Sequence, residues 1–393
     1  MAAAIGDRGR YYRPELDALR FFAFLLVFLH HSLPGDDDPR VLRLMGRFAP
    51  VFYDWVESCR FGLSLFFTLS AFLIFELLLR EREATGDVSV KQFYYRRILR
   101  IWPLYYFALA FGIIFALSPG GRSSEIHEMG WFVIFAAAWY IAMHGSLVNP
   151  VLPLWSISVE EQFYLFAPWV IKYLNPKYLY GLCLLLILTC NGWLFFLGKR
   201  SLFTHRIWFD TLVQFECFAG GILLCLFLNR RLPRIAVWQR LLLILGALSF
   251  WIFAVYPLHI RFDEGLNPGA WRLMAGYGLA TLGSIMLLVA FLGLDPKLIP
   301  RWATYLGRIS FGLYVYHEFA LHIMRFLPIG PFLLNAGLSF PVRVFLNTGL
   351  GIGLPLGLTI LLASLSYRYL ETPFLKLKRR HAVIESQPIA GAN

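Results

Sequence analysis

Apolar residues run in blocks of roughly 18 or more along the whole chain, separated by short polar stretches rich in Arg and Lys. Windows of about twenty residues mark eleven blocks of membrane-spanning type: 16–32, 61–79, 103–118, 131–144, 156–172, 178–197, 208–228, 241–257, 272–293, 305–324 and 343–367. The fourth is short, and loop charge decides its status. If 131–144 does not cross, ten spans place both termini in the cytoplasm, with 24 Lys and Arg inside and 12 outside. If it crosses, every later loop flips and the split becomes 17 inside against 19 outside. The positive-inside rule favours ten spans, with 119–155 as an outer loop holding a re-entrant or interfacial segment. The predicted fold is all-α, a polytopic integral membrane bundle of about 10 helices with N- and C-termini cytoplasmic. Residues 1–375 read as one membrane domain. Residues 376–393 read as a tail too small to fold, basic at first (Lys376, Lys378, Arg379, Arg380) and then disordered.

Composition agrees. Hydrophobic residues make up 58% and charged residues 15%, with a mean hydropathy of +0.61. That excludes an ordinary soluble enzyme, a disordered chain and a disulfide scaffold. A net charge of +12 would suggest nucleic acid for a soluble protein, but here the cations gather in short loops and hold them inside, so no nucleic-acid partner is expected. Cys183, Cys190, Cys217 and Cys225 lie inside apolar runs and Cys59 near a loop, a spacing that gives no disulfide or metal framework. The first apolar run carries Arg20, His30 and His31 with no small-residue cleavage site behind it, so a removable signal peptide is not expected.

Titratable residues within spans are costly, and each asks for a reason. Arg20 and His31 are eleven residues apart, which puts them on one helix face about 16 Å apart along the axis. His31 is suited to take a proton from a hydroxyl near neutral pH; a snorkelling Arg and a His bonded to a carbonyl are the plain alternative. Arg97 and Arg100 share a face if their stretch is helical, and two guanidinium forks can clamp phosphates. Taken alone, positive-inside anchoring or contact with anionic lipid is the more usual explanation of such a pair. In Leu154–Tyr164, Ser158 and Glu161 look like a capping box, whereas Glu160 and Tyr164 form an i, i+4 pair on another face. Ser310, Tyr314 and His317 form one polar stripe, read either as a site or as a hydrogen-bonded helix contact. His317 and His322 are five apart rather than the four that a helical zinc motif needs, so no metal is expected. Gly349, Gly351 and Gly353 lie inside a span and read as close helix packing.

In chain order these pieces resemble the membrane-bound acyltransferase-3 family of bacterial O-acyltransferases. The resemblance rests on Leu16-Asp17-x-Leu19-Arg20 with ten residues to His31, on Gly62-x-x-Leu65-Phe66-Phe67-x-Leu69-Ser70, and on Arg97-x-x-Arg100. It continues through Trp155–Tyr164, Ser310-x-x-x-Tyr314-x-x-His317 and Tyr369-x-Glu371-x-Pro373. The chain departs from the family pattern at Ala71 for Gly, Ser64 for Asp and Thr372 for Arg. The last departure leaves Glu371 without an assigned role.

The resemblance implies transfer of an acyl group, usually acetyl, from cytoplasmic acyl-CoA to a hydroxyl of a sugar, glycan or glycoconjugate at or across the membrane. His31, Arg20 and Glu160 are the expected catalytic residues, with Glu160 orienting or stabilising a protonated His31. Arg97 and Arg100 are expected to bind CoA, and Ser158, Tyr164, Tyr314 and His317 to bind substrate. Acyl-CoA is expected as a cosubstrate, no cofactor as permanently bound, and the bacterial inner membrane as the location. A standalone chain without the fused esterase-like domain of some members is also expected. The alternative is a transporter or flippase of a lipid-linked saccharide that performs no chemistry.

Overall fold

Ten helices of 16 residues or more carry the described part of the chain: α1 (Pro14–Ser32), α2 (Gly62–Thr85), α3 (Val90–Leu117), α4 (Leu154–Tyr173), α5 (Pro176–Lys199), α6 (Thr211–Leu228), α7 (Val237–Val255), α8 (Ala270–Phe291), α9 (Ser310–Arg325) and α10 (Phe340–Ser366). A short α11 (Thr372–Arg379) follows a π-turn at Tyr367–Glu371. The computed structural model describes residues 11–35, 38–118, 121–200, 204–261, 267–325, 339–379 and 384, and contains no strand among them. Seven of its helical stretches are long and apolar enough to cross a membrane; they contain α2, α3, α5, α6, α7, α8 and α10. The other three long helices fall outside that set because they are charged or short. α1 carries Glu15, Asp17 and Arg20, α4 carries Glu160, Glu161 and Lys172, and α9 is 16 residues long.

Residues 131–144 form two short helices, Met129–Val133 and Ala137–His144, broken where Phe135 takes φ 56°. Eight residues rise only about 12 Å, against a hydrocarbon core of about 30 Å, so neither piece is long enough to span it alone. The carbonyls freed by the break are satisfied from neighbouring helices. Tyr105 and Tyr106 hydroxyls donate to Phe132 and Val133 at 2.7 and 3.0 Å, and Gln162 Nε2 donates to Phe135 at 2.9 Å.

Several expected boundaries move. The third helix begins at Val90 rather than 103 and keeps Pro103 inside it, which draws Arg97 and Arg100 into regular helix. The block 305–324 divides at Ile309 into Arg301–Arg308 and α9. The fourth long helix begins at Leu154, so Ser158 is no N-cap; it is fully buried and its hydroxyl donates to Leu154 O at 3.3 Å. The expected tail begins as part of α11, with Lys378 buried; the rest of the tail call, apart from residue 384, lies outside the described residues.

α1 runs through the middle of the bundle, packed on α2, α9 and Arg301–Arg308, with Leu19, Ala23, Phe24 and Phe28 fully buried. Around it α6 packs on α2 and α5, and α7 on α8. The close approach of α2 to α1 needs a glycine, because a Cβ at Gly62 would sit 2.6 Å from Ala23 O. The expected glycine packing in α10 is corrected: a Cβ at Gly349, Gly351 or Gly353 would meet nothing within 4 Å. α10 packs through Pro355, Thr359 and Ala363 on a different face. Gly62→Val should therefore destabilise the protein by about 1–3 kcal/mol, the usual cost of overpacking, while Gly351→Ala should not. The thermal midpoints of both variants in detergent check this, and equal midpoints would refute the packing assignment.

Candidate active site

The first half of α1 borders a cavity of about 150 Å3 that also touches α2, α3, α4, α9 and Lys378 of α11. At about 30 Å3 per water molecule that is room for a small polar group or a narrow chain. Its lining holds the cations Arg13, Arg20, Arg97, Arg100 and Lys378 against the carboxylates Asp17 and Glu160. Arg20 Nη1 donates to Asp17 at 2.9 Å. Arg97 lies over the rings of Phe93 and Tyr164, 5.8 and 5.7 Å from their centroids, and its Nε has no hydrogen-bond partner among the described residues. The three-residue spacing in a helix brings Arg97 and Arg100 to one cavity, as expected from the sequence. The i, i+4 pair also forms: Tyr164 donates to Glu160 at 2.9 Å, and its hydroxyl lies 2.5 Å from Ser70 Oγ.

The far end of the cavity is closed by Tyr314 and Ser156, whose hydroxyls are 2.8 Å apart; Tyr314 also reaches Pro153 O at 3.2 Å. One turn further along α9 is His317, fully buried, with its ring 5.5 Å from that of Tyr314. His317 Nδ1 lies 2.5 Å from Tyr314 O. With the proton assigned to that nitrogen, the buried Nε2 is left with no partner among the described residues. The His31 ring stands 5.2 Å from His317, and His31 Nδ1 lies 2.6 Å from Glu318. Glu318 is itself buried and lies 3.4 Å from His322 Nδ1. The His31 side chain stays 32% exposed. A basic cavity, a tyrosine, two imidazoles and a carboxylate thus follow one another along the α1–α9 seam.

This layout corrects the expected pairing of Glu160 with His31. The carboxylate at His31 is Glu318, because α9 lies against α1 and presents Glu318 to it, whereas α4 points Glu160 into the cavity beside Tyr164. The structure brings Arg20, Glu160, Arg97, Arg100, Tyr164 and Tyr314 together around one cavity. His317 joins His31 beyond it, and Ser158 belongs to neither group. Ser70, Ser156 and Lys378 also line the cavity without having been singled out. Glu318 was not among the expected site residues; its i, i+4 relation to His322 is the sequence signal for it.

His31, His317 and Glu318 also hold potential ligand atoms within 4.8 Å of one another. Bonds of about 2.0–2.1 Å to a tetrahedral zinc would hold two ligand atoms roughly 3.3 Å apart. The 2.6 Å between His31 and Glu318 is a charge-assisted hydrogen bond instead.

Residues 13–366 match the family model described as an acyltransferase domain. The chain is 26% identical over 388 residues to the peptidoglycan O-acetyltransferase OatA of Listeria monocytogenes, covering 93% of this chain and 56% of that protein. It is 24% identical over 395 residues to the O-acetyltransferase OatA of Staphylococcus aureus, covering 93% and 57%. A putative O-acetyltransferase of another Staphylococcus aureus strain matches at 24% over 388 residues, covering 93% and 58%. The chain thus spans a little over half the length of these relatives. No solved structure matches it.

Proposed function

The chain belongs to the acyltransferase-3 family, and from that premise we propose that it is a membrane O-acetyltransferase moving acetyl from acetyl-CoA to a hydroxyl of a saccharide or glycoconjugate. The observation that carries the reading is the hydrogen bond between His31 and Glu318, beyond the Tyr314 and His317 that separate it from the basic cavity. Peptidoglycan, named for the Listeria relative, is the first acceptor to try. The ten-span arrangement, with termini in the cytoplasm of a bacterial inner membrane, belongs to the same proposal.

In this mechanism Glu318 holds the Nδ1–H of His31 and leaves Nε2 free as the base. The acceptor hydroxyl gives its proton to Nε2 as its oxygen bonds to the thioester carbonyl carbon. The C–S bond then breaks, and the CoA thiolate takes that proton from His31. Glu318 stabilises the imidazolium between these steps without being protonated. Arg97 and Arg100 hold the phosphates, and Arg20, Glu160, Tyr164 and Tyr314 shape the path of the arm. Acyl-CoA is consumed as a cosubstrate.

The planar guanidinium forks provide the test. Arg97→Lys and Arg100→Lys keep the charge that positive-inside anchoring requires but lose bidentate phosphate contact. Each should raise KM for acetyl-CoA about tenfold or more, the value of one charge-assisted bond, in an assay that follows free CoA thiol and acetylated glycan. Unchanged KM in both variants would assign the arginines to anchoring. No thiol release by the wild type with any glycan would refute acetyl-CoA as donor.

A further inference from the structure

Lys378 falls in what the sequence suggests is the basic start of a tail too small to fold, yet it is only 8% exposed. Near the end of α11, it lines the main cavity and also a smaller one of about 30 Å3 beside it. Arg97 is the other cation common to both cavities. Lys378 has no hydrogen-bond or ion-pair partner among the described residues, and the charges that act on it most are those of Arg100, Arg97, Arg96 and Arg20. The nearby carboxylates are engaged elsewhere: Glu81 with Arg96 at 2.6 Å, Asp17 with Arg20 at 2.9 Å, and Glu160 with Tyr164 at 2.9 Å.

A lysine buried among arginines costs free energy unless an anion joins it. Its long stem could have carried the ammonium out to water, as basic residues at helix ends usually do. We propose that Lys378 is a phosphate-binding residue, and that α11 thereby forms one wall of an anion site shared with Arg97 at the junction of the two cavities. The ligand class is a molecule bearing more than one phosphate group, since the excess of positive charge extends from Arg20 through Arg100 and Arg97 to Lys378. Choosing CoA as that ligand rests on the function proposed above; the anion site itself does not.

The test measures binding of two probes, CoA and inorganic pyrophosphate, to the full-length protein in nanodiscs at fixed salt. Lys378→Met and Lys378→Gln should each weaken both probes about tenfold or more, as loss of a charge-assisted bond does. Lys378→Arg should stay within about threefold, because it keeps the positive charge and hydrogen-bond donors. The thermal stabilisation that either probe gives the wild type should shrink in the neutral variants and persist in the arginine variant. That second reading is referenced to each variant's own unliganded midpoint, so it separates lost binding from lost stability. Affinities within twofold of wild type in either neutral variant would overturn the assignment. So would an equal loss in Lys378→Arg, which would make the residue a matter of packing. If pyrophosphate binds in a Lys378-dependent way and CoA does not, the anion site stands and the acetyl-CoA reading fails. If CoA binding depends on Arg97 but not on Lys378, this inference fails and that reading survives.

Discussion

His31→Ala should lower acyl transfer by about a thousandfold or more while leaving membrane insertion and the thermal midpoint close to wild type. General-base catalysis alone is worth about 10²–10⁴ in rate, and the side chain is one-third exposed, so little packing is lost with it. The carboxylate behind it should matter almost as much. Glu318→Gln keeps the shape but removes the charge that stabilises the imidazolium, and its amide no longer dictates the tautomer; a fall of about 10²–10⁴ follows from triads of this logic. His30 is the internal control. It faces about 100° away, with Nδ1 3.3 Å from Val56 O and 4.0 Å from Glu57. His30→Ala should keep turnover within a few-fold. Single-turnover rates with labelled acetyl-CoA measure all three variants. Near-normal turnover in His31→Ala, or loss confined to His30→Ala, would overturn the assignment of the base.

The helical class and the shared cavity of the arginine pair were legible because each rests on short-range periodicity, and the shortness of the 131–144 block showed as two short helices. The face shared by Arg97 and Arg100 follows from helix geometry once the helix is known to begin at Val90. The partner of His31 could not be read in that way. Glu160 and Glu318 are both acidic residues in polar motifs, and only the packing of α9 rather than α4 against α1 decides between them. Lys378 shows the same limit from the other side. Basic residues after the last apolar block fit the usual anchoring pattern, and the return of α11 to the cavity through the Tyr367–Glu371 turn has no local sequence signature. The Gly349–Gly353 run shows that small residues in a span permit close approach without requiring it.

In sealed vesicles of known orientation, transfer should be efficient when acetyl-CoA and a membrane-impermeant acceptor are supplied on opposite faces. The expectation starts from α1, whose rise carries His31 about 16 Å beyond Arg20. The cavity beside the arginines extends to Tyr314, and His317 is the side chain between Tyr314 and His31. A compact donor held at the arginines could not bring its acyl group that far, but CoA carries its thioester at the end of a flexible arm of comparable length. In the proposed orientation, with the nucleotide end at the arginines on the cytoplasmic side, the arm would run through the cavity and displace Tyr314 from Ser156, bringing the thioester to His31. In the same proposed orientation an acceptor hydroxyl would meet it from the outer side, through the exposed part of His31. Tyr314→Phe tests that displacement: losing the bond to Ser156 should change the rate of single-turnover transfer more than it changes CoA affinity. In vesicles with the cytoplasmic face inward, acetyl-CoA loaded inside and acceptor added outside should give acetylated product in the external medium, and His31→Ala vesicles should give none. Product formed only when both substrates share the cytoplasmic face would sink the threaded-arm arrangement and place acylation before export.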